Sequence, residues 1–154
     1  MLSLNFRRTA SVLVSVISAL LVLISVQQCL GTECTGATYN STAFEQETAQ
    51  FSPYEKIYLI LSCTGLTPGE HAMHVNWMHS KRGLVRSDKH IFAAENGAKQ
   101  GIYFWFKLSK KGPMASMFSN QDFNEENFGA WSVETYLDDE LVLTRSFTIV
   151  DGGQ

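Results

Sequence analysis

The stretch KIYLILSCT, Lys56 to Thr64, alternates strictly: Ile57, Leu59, Leu61 and Cys63 share one face, and Tyr58, Ile60 and Ser62 share the other. An apolar period of two can be buried only by a strand in a sheet, so this pattern constrains the fold more than any other feature. It recurs in GIYFWFKL, Gly101 to Leu108, where Ile102, Phe104, Phe106 and Leu108 alternate with Tyr103, Trp105 and Lys107. The C-terminal AWSVETYL and LVLTRSFTIV flank the turn DDE and predict a hairpin with alternation on both arms. A further strand fits Leu84 to Ala94, with Glu95-Asn96-Gly97 as its turn. About seven short strands separated by turn signals predict an all-β fold, an antiparallel Ig-like β-sandwich. That domain is expected over 51–154, with 32–50 as a tether and first edge strand.

One segment has a helical rival. In LTPGEHAMHVNWMHSKRG, Thr67-Pro68-Gly69-Glu70 has the form of a helix N-terminus, and Lys81-Arg82-Gly83 that of a C-terminus. The middle opposes both. On a helix Ala72, Met73, Val75, Trp77 and Met78 form no stripe, whereas on a strand Met73, Val75 and Trp77 fall on one face. Phase outweighs punctuation, and a strand is expected.

The chain starts MLSLNFRR and continues with the uncharged apolar run Val12–Ile24. A basic start followed by an apolar run of this length has the form of a secretory signal. A membrane span needs about 20 apolar residues, so an uncleaved anchor requires the run to be extended over Thr9–Val26. Residues 1–31 are therefore expected to be a signal sequence or membrane anchor helix. Cys29 is a lipidation candidate by its distance from the run, although Gln28 stands where a lipoprotein signal has a small residue; the rival is a cut near Gly31. Either route leaves Cys34 and Cys63 as one pair in an oxidising compartment, which predicts a disulfide between them.

Composition narrows the function classes. The 154 residues carry a formal net charge of −3, so nucleic acid is not an expected partner. No Gly-x-Ser-x-Gly elbow, His-Glu-x-x-His or Gly-rich phosphate loop is present, and no enzyme activity, cofactor or catalytic residue is expected. HAMHVNWMH holds three histidines and two methionines. On a strand His71 and His79 share a face about 26 Å apart, too far to share an ion, and His74 faces the other way. No metal site is assigned, and a copper-handling protein remains the third functional alternative.

GAWSVETYLDDELVLTRSFTI resembles the closing hairpin of small bacterial exported Ig-like domains, in which Gly-x-Trp-x-Val opens one strand and Phe-x-Ile ends the next. LTPGEHAMHVNW resembles their turn into a central strand bearing a buried aromatic. The resemblance implies a sandwich in the periplasm or on the cell envelope. It implies no activity, and no functional residue carries over.

The expected function is a non-catalytic interaction module of the bacterial cell envelope, alone or as a subunit of a larger assembly. A carbohydrate-binding domain is the second alternative. The candidate partner-binding residues are Tyr103 and Trp105, on the outer side of an otherwise apolar strand, with Met114, Met117 and Phe118 in the long segment Ser109–Gly129. That segment either covers the two aromatics or leaves them exposed. The expected partner is an envelope protein or a glycan, with the membrane reached through the N-terminal segment. Charge is uneven: Lys81–Lys111 holds eight basic and two acidic residues, and Asp122–Glu140 seven acidic and no basic ones.

Overall fold

A computed structural model describes residues 31–95, 99–114 and 122–151. The N-terminal apolar run expected to be a signal or anchor, with Cys29, the turn residues Asn96 and Gly97, and Met117 and Phe118 lie outside the described residues.

Eight strands are described: β1 (Glu33–Tyr39), β2 (Gln50–Phe51), β3 (Ile57–Thr64), β4 (Gly69–His79), β5 (Gly83–Ala94), β6 (Gln100–Phe106), β7 (Gly129–Leu137) and β8 (Glu140–Ile149). They form a three-stranded sheet, β1-β3-β6, and a five-stranded sheet, β2-β8-β7-β4-β5. The expected strands are all present, and β4 is a strand rather than a helix. Two details differ from expectation. The two-residue β2 is too short to carry a periodic signal, and it pairs parallel with β8, whereas all other pairings are antiparallel.

The inner faces follow the alternation. Ile57, Leu59, Leu61 and Cys63 of β3 pack with Ile102, Phe104 and Phe106 of β6 and with Met73, Val75 and Trp77 of β4 in one core. Trp77 is fully buried and stacks on Phe106 of the opposite sheet, 5.2 Å between ring centroids. Phe106 also meets Trp131 of β7 at 5.2 Å, so one aromatic cluster joins the two layers. The turn Asp138-Asp139 has positive φ at both residues, the geometry that matches the twist of a tight hairpin.

The strand order is that of an immunoglobulin sandwich. β1, β3 and β6 occupy the places of strands A, B and E, and β8, β7, β4 and β5 those of G, F, C and C′. The buried tryptophan on the C-type strand is present. The disulfide is placed differently: Cys63 bonds Cys34, its direct cross-strand partner on β1, instead of a residue of the facing sheet. Among the described residues strand D, which would flank β6, has no counterpart: β5 ends at Ala94 and β6 begins at Gln100.

The two sides of the sandwich are therefore unequal. On one side β1 closes against β8: Arg145 Nε donates to the Gly36 carbonyl at 2.6 Å. A Cβ on Gly36 would lie 2.7 Å from a methyl of Leu143, so only glycine permits this approach without repacking. On the other side β5 and β6 are both sheet edges among the described residues, and they do not pair with each other.

Candidate functional site: an open groove between two sheet edges

Period two buries Ile102, Phe104 and Phe106 and thereby turns Tyr103 and Trp105 outward. Tyr103 is 64% exposed and Trp105 41%. In register, Trp105 lies opposite Tyr58 and Tyr103 opposite Ile60, so the outer face of the three-stranded sheet is aromatic and aliphatic at this edge. The described part of the Ser109–Gly129 segment does not cover them. Phe123 is instead buried edge-on against Tyr54 at 5.0 Å, and Leu108 is buried, so that part of the segment plugs one end of the core.

Beside these aromatics lies a groove of about 420 Å³. One wall is Arg86, Asp88, Lys89 and His90 of β5, and the other is the β6 run from Gly101 to Trp105. Asp88 anchors the charged wall. Its Oδ2 accepts the indole N–H of buried Trp77 at 3.0 Å, and its Oδ1 accepts two bonds from Arg86, at 3.0 Å from Nε and 2.7 Å from Nη2. This fork holds the guanidinium 5.2 Å from the centroid of Trp105, and Lys56 Nζ lies 4.6 Å from the same ring. Cation–π contacts of this kind are worth about 0.5–1 kcal/mol at exposed sites, enough to bias the indole orientation. Trp105 is thus oriented from both sheets. Tyr103 makes no ring or cation contact among the described residues and is the freer surface.

Met114 is exposed but belongs to the segment beyond Leu108, where no contact brings it to Tyr103 or Trp105; Met117 and Phe118 lie outside the described residues. The groove residues Arg86 and Lys89, and Lys56 over Trp105, were not singled out by sequence. Their signal was present in part, since Arg86 and Lys89 belong to the basic stretch Lys81–Lys111. A second, basic hollow of about 380 Å³ is lined by Arg82, Lys107, Lys110 and Lys111 among others. Part of its charge is compensated: Lys110 pairs with Asp122 at 3.1 Å, and Arg82 bonds Asn127 and lies 3.9 Å from Glu126. The basic and acidic stretches meet here.

His71 and His79 of β4 serve the scaffold. His79 is buried against Trp131, 4.9 Å between centroids, and faces the Phe128 carbonyl. His71 is 8% exposed, with Nε2 2.8 Å from the Thr67 carbonyl and Nδ1 2.6 Å from Asp138 Oδ2. Both neighbours are acceptors, so both ring nitrogens must donate, and the imidazolium is favoured. The Thr67 carbonyl first and the Asp138 carboxylate next raise the His71 pKa, against the opposing effect of burial. Asp138 is held below the usual carboxylate range by the Ala72 N–H and then by His71. His74 faces the opposite side of the sheet. Among the described residues no three His, Cys, Asp or Glu side chains converge on a point.

No protein-family model matches the chain, and no curated protein matches it. Among solved structures it is similar to the alkylpurine DNA glycosylase AlkC of Pseudomonas fluorescens, bound to DNA containing an abasic site analogue. The TM-score is 0.53 at 13% identity, over 77% of this chain and 30% of that one. A β-glucosidase of Listeria innocua in complex with glucose gives a TM-score of 0.49 at 12% identity, over 77% of this chain and 16% of that one. The chain therefore spans less than a third of either protein, and the likeness, at such identities, is one of fold alone.

Proposed function

We propose that the protein is an exported, non-catalytic interaction module of the cell envelope that takes its partner on the β5–β6 side of the sandwich. One observation carries the proposal. Tyr103 and Trp105 stand exposed at the rim of a groove walled by two sheet edges, on the side where an immunoglobulin sandwich would have another strand. Large aromatics are costly to leave in water and are favoured at interface centres, where they bury much area with little rotamer entropy. Asp88, Arg86 and Lys56 hold one of them oriented before any partner arrives, which lowers the ordering cost of binding. The leader-like N-terminus and the cross-strand disulfide are compatible with export.

The test is site-specific photo-crosslinking in envelope preparations. A photoreactive residue at Tyr103 is expected to capture a discrete partner, and one at Thr144 on the outer face of β8 is not. Equal capture at both positions, or none at Tyr103, refutes the assignment. A glycan is the second reading, favoured by the uncontacted ring of Tyr103. A glycan array showing saturable binding that is lost in Trp105→Ala would select it.

A further inference from the structure

We infer that the β6 edge is an acceptor for an extended, acidic peptide segment of another protein, which adds as the strand next to β6. The inference rests on the binding-module reading and names the partner's chemistry. In an antiparallel pair alternate residues direct their N–H and C=O groups toward the partner strand. β6 pairs only with β3 among the described residues, so its other backbone groups face the groove.

Exposed strand edges invite pairing, and proteins usually guard them with charge, proline, bulges or brevity. The other edges here are guarded. β5 carries Arg86, Asp88 and Lys89; β1 is tied to β3 by the disulfide and to β8 by Arg145; β2 has two residues. β6 has none of these devices. Gly101-Ile102-Tyr103-Phe104-Trp105-Phe106 is uncharged, free of proline and rich in aromatics. An unguarded edge of this length fits a chain that has a regular occupant, and a strand added to it would lie roughly 4.8 Å from β6.

Charge selects among occupants. The groove's one carboxylate, Asp88, is already engaged by Arg86 and Trp77, while Lys89 lines the groove and Lys56 sits over Trp105. The uncompensated charge is positive. A second copy pairing β6 to β6 about a two-fold axis would bring Lys56 and Lys89 of both copies toward one seam, and like charges there oppose it. An acidic strand meets the same cations favourably.

The experiment uses the full chain and three fluorescein-labelled nine-residue peptides. In the first valine alternates with aspartate, in the second lysine replaces every aspartate, and in the third prolines replace the central valine and the aspartate after it, so that one of them falls at a ladder-facing position. Anisotropy is expected to show saturable binding of the first. The second should bind roughly tenfold or more weakly through charge, and the third by a similar factor because proline lacks the ladder donor. Amide hydrogen exchange at Gly101–Phe106 should slow on binding. Lys56→Glu with Lys89→Glu, both exposed, should invert the preference between the acidic and basic peptides while the far-ultraviolet dichroism of the fold is kept.

Equal binding of the proline peptide overturns strand addition. So does saturable binding of oligosaccharides with none of peptides, or a concentration-dependent dimer by light scattering that ignores all three. If peptides fail while crosslinks still concentrate at Tyr103, strand addition falls and the binding-module reading survives; if both fail, both fall.

Discussion

His71 shows how one side chain of β4 changes meaning once its neighbours are known. In the sequence it is a member of a histidine-rich run; in the fold it is a clasp between the Thr67 turn and the β7–β8 hairpin. Asp138 completes the clasp by accepting the Ala72 N–H at 2.8 Å, while its own N–H donates to the Ala72 carbonyl at 2.9 Å. The consequence for pH has a definite sign. The His71 pKa is raised above its usual 6.5, so its contribution to stability is full below that value and is lost as pH rises through the folded-state value. Asp138 is lowered from 3.8, so its contribution is present above that value and is lost as pH falls through its folded-state value. The pair therefore stabilises most between the two. Melting temperatures of the native protein should decline as pH is raised above about 6.5. In His71→Gln the same window should be flat relative to the native protein, and an unchanged decline would assign the effect to another group.

Among the elements, the strands were legible and their neighbours were not. Alternation is a local property, so β3, β4, β6 and the β7–β8 hairpin could be drawn from spacing alone, and the outward turn of Tyr103 and Trp105 followed. The groove could not be drawn. It exists because β5 and β6, consecutive in the chain, end different sheets, and no local pattern in either strand states which sheet it joins. Asp88 illustrates the gap: its partner Trp77 is eleven residues away and faces it only after β4 and β5 pair. The disulfide was legible for a different reason, since both expected cuts left the same two cysteines. It joins Glu33–Tyr39 to β3, and β1 buries only part of its surface, so this strand depends on the bond. The sequence separation is 29 residues, and the chain-entropy model places the stabilisation at roughly 3–4 kcal/mol. Cys34→Ala with Cys63→Ala should lose about that amount in urea unfolding. A loss under about 1 kcal/mol would mean that β1 is held by its hydrogen bonds and Arg145 instead.

For the molecule as a whole, the question is whether two sheets, between which the chain crosses at five of its seven strand-to-strand connections, unfold together. The aromatic cluster answers it. Phe106 belongs to the three-stranded sheet, yet it stacks on Trp77 and packs on Trp131, both of the five-stranded sheet, and Phe147 and Phe51 extend the contact to β8 and β2. Neither sheet has a covered inner face without the other, so separation would expose both faces at once and cooperative unfolding is required. Phe106→Ala leaves a cavity at the centre of this cluster and should cost about 3–5 kcal/mol, a large share of a typical domain's 5–15 kcal/mol. Phe106→Leu, which keeps most of the volume, should cost less and serve where the alanine variant fails to fold. Far-ultraviolet dichroism reports strands of both sheets, while the fluorescence of Trp77 and Trp131 reports the interface between them. In the leucine variant the two signals should shift to lower denaturant together, with coincident midpoints. Separate midpoints would show that the sheets are independent units, and the rim on which Tyr103 and Trp105 are held would then be no more rigid than the three-stranded sheet that carries it.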